Sequence, residues 1–591
     1  MLPNIKNDKR RDKPMNKSKR AVLIRLAKYF WQYKIRVIIA FVLMVTSNVF
    51  ALLGPYLTGI AIDSISLENG IDFQVVAYYC LLMAVFYLAS AVLAYFLSIL
   101  MIHLSQKIAT TMRQDVFDKI IGLPVGILDT IQPGDLINRI SYDIDTLNAS
   151  LSNDVLQALT GIISIVGTFI GMLVISPILL VVFLITLPIS VYITIHRSKT
   201  VRPLFRKRSA SLAQLNGFAE EMLSGLKTIK AYGKEEAMID QFEIKNQEAV
   251  DAYYEADYFG SLIGPAVNFV NNLGTVLIST VGAIFYCFDR IKIGAISSFL
   301  LYARKFSGPI SEYANIMGEI QSALAAAERV FRLLDIPSES DTDGAIALEE
   351  VQGKIVFDHV RFAYGSTPVL NDLSFTAEEK QTIAIVGPTG AGKTTLVNLM
   401  MRFYDPQKGT ILLDDVPIET YTKESLRKAF VMVLQDTWLF EGTIFDNIAY
   451  GSQGATLEKV KEVCKAAYLD QYIESLPNGY DTRITDGGVN LSKGQKQLMT
   501  IARAMLSDAK MLILDEATSN VDTRTEILIH DAMRHLMKGR TCFVIAHRLS
   551  TIVQADLILV VKDGDIIESG KHQELLQKNG FYATIYNAQF E

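Results

Sequence analysis

The stretch Thr382-Ile-Ala-Ile-Val-Gly-Pro-Thr-Gly-Ala-Gly-Lys-Thr-Thr395 runs from an apolar strand through a glycine-rich turn into the start of a helix. Gly387, Gly392, Lys393 and Thr394 occupy the fixed places of G-x-x-x-x-G-K-[ST]. Pro388, Thr389, Gly390 and Ala391 fill the turn between them, and Thr395 follows. Glycines let successive backbone N–H groups curl around phosphate oxygens, and the positive end of the following helix strengthens that field. Lys393 is expected to reach the β- and γ-phosphates of a nucleotide, and the Thr394 hydroxyl to join a Mg2+ shell. A glycine turn without a ligand would not need the whole pattern.

A second apolar strand, Met511-Leu-Ile-Leu-Asp-Glu516, ends in two acids. Ligands of open parallel sheets lie at strand ends, so the pair points to the same site. Asp515 is expected to hold Mg2+ directly or through water, and Glu516 to polarise the water that attacks the γ-phosphate. Two acids at a strand end can also simply open a helix, but beside a phosphate loop that reading is weak.

These groups belong to a chain of 591 residues, long enough for three or four domains. Half of the residues are hydrophobic and mean hydropathy is +0.26, which is apolar for a soluble enzyme. The net charge of −5 gives no reason to expect a nucleic-acid partner. Cys80, Cys287, Cys464 and Cys542 show no metal or redox spacing and read as unpaired thiols. No short apolar core with a cleavage site follows the basic N-terminus.

Six apolar runs cover Val37–Ile60, Val75–Ile102, Val155–Ser176, Pro177–Ile195, Tyr258–Phe288 and Lys292–Met317. Each meets the requirement of about 20 residues for about 30 Å of hydrocarbon. Lysines and arginines crowd the segment before the first run and the interval from Arg197 to Lys245, whereas Asp63 to Asp72 holds acids and no bases. Both termini are therefore expected in the cytosol, although Asp289-Arg290-Ile-Lys292 runs against the rule. The basic N-terminus reads either as a topogenic signal or as a segment resting on anionic headgroups.

The intervals His103–Asp154 and His196–Asp257 are long, internal and helical. About 25 residues of continued helix would extend roughly 35–40 Å beyond the bilayer, with turns expected at Pro133–Arg139 and Ser224–Lys230. Asn48, Asn268, Asn271 and Asn272 lie inside the spans and either line a cavity or join helices. After the polar stretch Ser338–Gly344, strand and helix alternate from about Val351. The expected fold is membrane α-helical, with six transmembrane helices, followed by an α/β P-loop nucleotide-binding domain. Its parts are a basic segment (1–35), a membrane domain with cytoplasmic stalks (36–320), a linker (321–350) and the nucleotide-binding domain (351–591).

Six spans followed by these motifs resemble an ATP-binding cassette (ABC) exporter half-transporter over residues 20–591. The resemblance implies that Tyr364 stacks on adenine and that Gln435 senses Mg2+ and faces the membrane helices. It makes Leu491-Ser492-Lys493-Gly494-Gln495 the signature loop, Ser519-Asn-Val-Asp522 the D-loop and His547 the switch histidine. In isolation Tyr364, Gln435 and His547 would each read as structural. The two internal turns look like the family's coupling helices. In this family ATP and Mg2+ are held between two cassettes, the phosphate loop of one facing the signature helix of the other. Ser492, Gly494 and Gln495 would then serve the nucleotide of a second half-transporter.

Lys493 stands where the family pattern Leu-Ser-Gly-Gly-Gln has glycine. Thr485-Asp-Gly-Gly-Val489 and Ser-Asn-Val-Asp522 also depart from the usual Gly-Glu-x-Gly and Ser-Ala-Leu-Asp forms. The combination looks like one half of a heterodimeric exporter that supplies Glu516 to the competent site. The other reading is a homodimer, with Lys493 in solvent or acting as an extra phosphate counter-charge. The implied function is ATP-driven export of amphipathic small molecules, drugs or lipids, by alternating access. The implied place is the cell (plasma) membrane, among its lipids, with the cassette and both termini cytoplasmic. An ATP-gated channel or a sensor subunit would share the architecture, but Glu516 and His547 favour turnover.

Overall fold

Unbroken apolar and helix-forming sequence carries the first half of the chain into helices far longer than a bilayer requires. The computed structural model describes residues 15–66, 70–434, 437–452, 454–485, 490–515, 522–545 and 552–588. In it Phe73–Ile121 is one helix of 49 residues and Pro177–Ser224 one of 48, roughly 70 Å each at about 1.5 Å per residue. Among the described residues, Lys34–Asp63, Phe73–Ile121, Pro133–Ile175 and Glu235–Cys287 are long and apolar enough to cross a membrane. Pro177–Ile189 is a shorter apolar piece at the head of its long helix. Ile293–Leu334, which carries Arg304 and Lys305, is helical throughout.

Pro55 lies inside Lys34–Asp63 and leaves the Ala51 carbonyl without its helical donor. Lys305 supplies one: its Nζ donates to the Ala51 carbonyl at 2.7 Å. Tyr302 Oη donates to Leu52 O at 2.6 Å and Ser298 Oγ to Pro55 O at 2.7 Å. A basic side chain within an apolar run thus satisfies the carbonyl that Pro55 leaves without a helical donor.

The first internal reversal comes earlier than the sequence suggests. Pro133 opens the returning helix, a position its fixed φ suits, and the turn is made by Gly122–Gln132 with the short helix Val125–Leu128. The returning helix holds two π-turns, Arg139–Asp143 and Ser150–Asp154. Buried Asp143 pairs there with Arg139 and with Arg329 of Ile293–Leu334. The second reversal falls at Gly225, before the short helix Leu226–Ala231.

The basic N-terminal segment is helical from Met15 to Trp31 and is strapped to two stalk helices. Arg25 Nη1 donates to both Asp335 carboxylate oxygens at 2.7 Å and its guanidinium lies 4.4 Å over the Phe331 ring. Tyr29 Oη donates to Asp115 at 2.7 Å, and burial followed by that carboxylate raises its pKa. Asp115 lies roughly 60 Å along its helix from Phe73, so this part of the segment does not rest at headgroup level.

The chain packs as two units, one formed by the helices up to Ile121 and from Pro133 to Ile336, the other by Gly122–Gln132 and the chain from Pro337 onward. The second unit contains a six-stranded sheet in the order Asp565–Gly570, Leu557–Lys562, Thr382–Val386, Thr541–Ile545, Met511–Asp515, Phe430–Val433. Only its first strand is antiparallel. Alternation along these strands sends Ile383, Ile385, Ile513 and Phe543 into one core with Phe357 and Leu373 of an antiparallel four-stranded sheet. Ala384, Val386, Leu512, Leu514 and Val544 enter a second core with the helix Lys493–Met505. Burial on both faces is why the parallel strands read as continuous apolar runs.

The polar stretch expected as a linker is pinned to this unit. Glu339 accepts from Arg427 Nη1 and Nη2, both at 2.7 Å, and Thr342 Oγ1 accepts from Arg402 at 2.7 Å. The Glu339 backbone N–H donates to Gly122 O at 2.8 Å.

Candidate nucleotide-binding site

Thr382–Val386 enters the glycine turn from the middle of the sheet and the helix Lys393–Met400 leaves it. Gly390 and Gly392 have φ of +85° and +103°, a region that residues with a Cβ rarely adopt. A Cβ on Gly387 would strike the Val561 carbonyl, and one on Gly392 would lie 2.7 Å from Leu370 Cδ2. The backbone path and its close neighbours therefore demand these glycines.

Lys393 Nζ folds back over the turn and donates to Gly387 O at 2.7 Å and Pro388 O at 2.9 Å. The residue is 8% exposed. Burial lowers its pKa, and the Asp515 carboxylate works against that shift. A buried ammonium held by two neutral carbonyls is poorly compensated. The loop therefore fits a polyanion such as a triphosphate.

Asp515 pairs in register with Ile545, which itself pairs with Ile385. Asp515 and the phosphate loop thus leave the same edge of the sheet, with one strand between them. Thr394 is exposed in the first turn of the outgoing helix and Thr395 is buried. Among the described residues no three His, Cys, Asp or Glu side chains gather to hold a metal ion. The hydroxyl and carboxylate fit a Mg2+ shell completed by phosphate oxygens and water, the usual state of that ion. Gln435, Glu516, Ser519, Asn520, Val521 and His547 lie outside the described residues, as do Asp486 to Val489 before the signature.

Tyr364 ends the strand Ile355–Tyr364 and is 37% exposed. Its hydroxyl accepts from Asn398 Nδ2 at 3.3 Å and from Thr395 Oγ1 at 3.4 Å, which sets the ring beside the phosphate-loop helix. That ring meets Phe362 edge-on at 4.9 Å and Tyr404 at 5.1 Å. Tyr404 Oη donates to Asp129 Oδ2 at 2.6 Å, and its pKa is raised by burial first and by that carboxylate second. Sequence reasoning missed Asn398, Tyr404 and Asp129. Asn398 was within reach, since it lies one helical turn beyond Thr394. Nothing in sequence joins Asp129 to Tyr404.

Ser492 caps the helix Lys493–Met505 through a closed capping box. Ser492 Oγ accepts from Gln495 N at 3.2 Å, and Gln495 Oε1 accepts from Ser492 N at 2.9 Å. Gly494 is buried, whereas Ser492 and Lys493 are exposed. Lys493 takes ordinary helical backbone with negative φ, so a side chain here carries no backbone strain. What it changes is bulk and charge at the positive end of the helix. Asp522 of the D-loop caps the next helix by accepting from Thr525 N at 2.9 Å. Arg503 anchors the segment after Gln435, donating to Asn447 O at 2.7 Å and Trp438 O at 3.1 Å.

A phosphate loop on a parallel sheet, a capped signature helix and a stalked helical domain define the class: a membrane transporter driven by a nucleotide-binding cassette. The description "ABC transporter transmembrane region" matches residues 37–310 and "ABC transporter" matches residues 370–519. The chain belongs to the ABC transporter family. It is 44% identical over 515 residues to the fatty acid ABC transporter ATP-binding/permease protein of Mycobacterium bovis, covering 87% of this chain and 82% of that one. It is 37% identical over 496 residues to the ATP-dependent lipid A-core flippase of Legionella pneumophila (strain Paris), covering 83% of each. A bacterial Atm1-family ABC exporter with ATP bound matches at a TM-score of 0.78 and 28% identity, over 94% of this chain and 98% of that one. The protein is a multi-pass membrane ABC exporter whose cassette binds ATP and couples its hydrolysis to transport.

Proposed function

We propose that this chain exports amphipathic small molecules, drugs or lipids, across the cell membrane by alternating access, as one half of a dimer with both termini in the cytoplasm. The carrying observation is the line from Tyr364 through Tyr404 to Asp129. It ties the edge of the nucleotide site to the turn that joins two apolar helices. The two relatives named for a fatty acid and for lipid A-core support a lipid-like cargo.

Tyr364 stacks on adenine, and the backbone from Gly387 to Thr395 with Lys393 holds the phosphates. Thr394, Asp515 and Gln435 hold Mg2+, which supplies charge stabilisation to the phosphate oxygens when bound. Glu516 takes up the proton of the attacking water while His547 orients the γ-phosphate end. Ser492, Gly494 and Gln495 serve the nucleotide of the partner cassette. ATP favours the closed pair only by as much as it binds that state better.

The cassette leaves Trp438 and Tyr450 69% exposed, and the second turn leaves Leu223 and Tyr232 exposed. Apolar surface of this kind suits cover by a second subunit. Lys493 on the signature helix favours a heterodimer, in which this chain supplies Glu516 to the competent site. ATP-dependent uptake of a labelled amphiphile into inside-out vesicles tests export. Strong lipid-stimulated ATPase from the chain reconstituted alone would exclude an obligate heterodimer.

A further inference from the structure

Tyr364 and the phosphate loop come from different sheets. The tyrosine is the last residue of Ile355–Tyr364, where that strand turns through Gly365 and Ser366 into Thr367–Ala377, and it pairs with Thr367 at the tip of the hairpin. These strands belong to the four-stranded antiparallel sheet, whereas Thr382–Val386, which feeds the phosphate loop, belongs to the six-stranded one. Gly365 has φ of +63° and the Tyr364 ring is 37% exposed. Exposed hairpin tips are where backbone is held least firmly, so neither sheet by itself fixes the ring against the loop.

One side chain spans that gap. Asn398, half-buried on the helix Lys393–Met400, donates from Nδ2 to Tyr364 Oη at 3.3 Å. Among the described residues this amide has no other partner. Thr395 Oγ1, on the same helix, adds a longer contact to the same oxygen at 3.4 Å. Tyr404 cannot do this work, because its own hydroxyl is taken by Asp129 at 2.6 Å. Stacking on a base needs only an aromatic face, which phenylalanine would offer equally. The hydroxyl of Tyr364 therefore has a different task, and its partners lie on the helix that receives phosphate.

We infer that Asn398 is a positioning residue for ATP: through the Tyr364 hydroxyl it fixes the base-stacking ring to the phosphate-loop helix. The inference rests on the reading that Tyr364 stacks on adenine. A nucleotide is a ligand with two linked ends, and its affinity exceeds that of either end only while both receiving surfaces keep their spacing. Holding the ring in place beforehand removes an ordering cost from binding. A triphosphate without a base touches one surface only and gains nothing from the tie.

The test is calorimetric titration of the full chain in lipid nanodiscs with the β,γ-imido analogue of ATP and with inorganic triphosphate, each with Mg2+. Asn398→Leu and Tyr364→Phe should each weaken the nucleotide by about fivefold and leave triphosphate affinity unchanged. The double variant should be no weaker than either single one, since both remove the same bond. Tyr364→Ala should lose more, because the ring goes as well. Melting without nucleotide establishes that each variant folds; should Asn398→Leu fail, Tyr364→Phe, which removes a single oxygen, carries the test. Parent-like nucleotide affinity in folded Asn398→Leu and Tyr364→Phe, with Tyr364→Ala impaired, would overturn the tie and leave stacking standing. Parent-like affinity in Tyr364→Ala would sink stacking and the tie together. Equal losses for nucleotide and triphosphate, or additive losses in the double variant, would also overturn the inference.

Discussion

Tyr404 Oη donates to Asp129 Oδ2 at 2.6 Å, joining residues 275 positions apart in the chain. The tyrosine ring is buried, meets Tyr364 edge-on, and lies against Gly126, where a Cβ would fall 2.6 Å from it. The turn between two membrane helices is thus seated on the aromatic group beside the phosphate loop. Tyr404→Phe should leave ATP affinity unchanged and cut lipid-stimulated ATPase several-fold. Asp129→Asn should act in the same direction. The double variant should fall short of the sum by about 1 kcal/mol, as expected for partners in direct contact. Strict additivity would refute the link.

Lys393 is a second test, because its burial should oppose stability while its charge serves binding. Lys393→Ala is expected to reduce ATP affinity by about 100-fold without lowering the melting temperature of the nucleotide-free protein. Gly392→Ala should do the reverse to the fold, costing about 1–3 kcal/mol because φ is +103°. Fluorescent-nucleotide titration and thermal melting, run on the same preparations, separate the two effects.

Glu516→Gln should bind ATP normally and slow steady-state hydrolysis by about 100-fold or more, the usual range for losing a general base. Retained nucleotide after rapid desalting would show a closed, uncleaved state. Hydrolysis at the parent rate would remove Glu516 from the mechanism.

Lys493→Gly should cost no more than about 1 kcal/mol of stability, the ordinary helix cost of glycine, read as a small fall in melting temperature. If the ammonium faces the partner's phosphates, the variant should also weaken the dependence of ATP affinity on ionic strength. Identical salt dependence in both proteins would place the side chain in solvent.

Glu339 offers a pH test. Hydrogen bonding to Arg427 lowers its pKa against the opposing effect of burial, with the charges of Arg427 and Lys423 adding to the shift. A depressed carboxyl contributes stability that is present above its unfolded value, near 4.5, and is lost as pH falls through the lower folded value. Wild type should therefore melt above Glu339→Gln at pH 7, with the gap closing below about pH 4. A gap that stays constant on acidification would mean that packing, not charge, holds the segment.

The phosphate loop was legible because its requirements are local: Gly387, Gly392 and Lys393 act within one turn of chain. The strand to Asp515 and the capping pair Ser492 and Gln495 were legible for the same reason. The first reversal was misplaced because Pro133-Gly134 reads equally as a turn and as a helix start. Packing of Gly122–Gln132 with the later part of the chain selects the helix start. Lys305 looked like a flaw in an apolar span, and only the neighbouring helix shows that it completes the carbonyl freed by Pro55. The N-terminal basic run gave no hint that Arg25 and Tyr29 grip Asp335 and Asp115.

The amino-acid order alone was enough to establish a membrane-spanning ATPase of the ABC family, since apolar run length and phosphate-loop spacing depend on neighbours within a few turns. Tertiary structure decided which carboxylate seats the turn and which lysine completes the carbonyl that Pro55 frees. Those outcomes depend on side chains brought together from distant positions, and the balance of burial and charge among them does not exist until the helices pack.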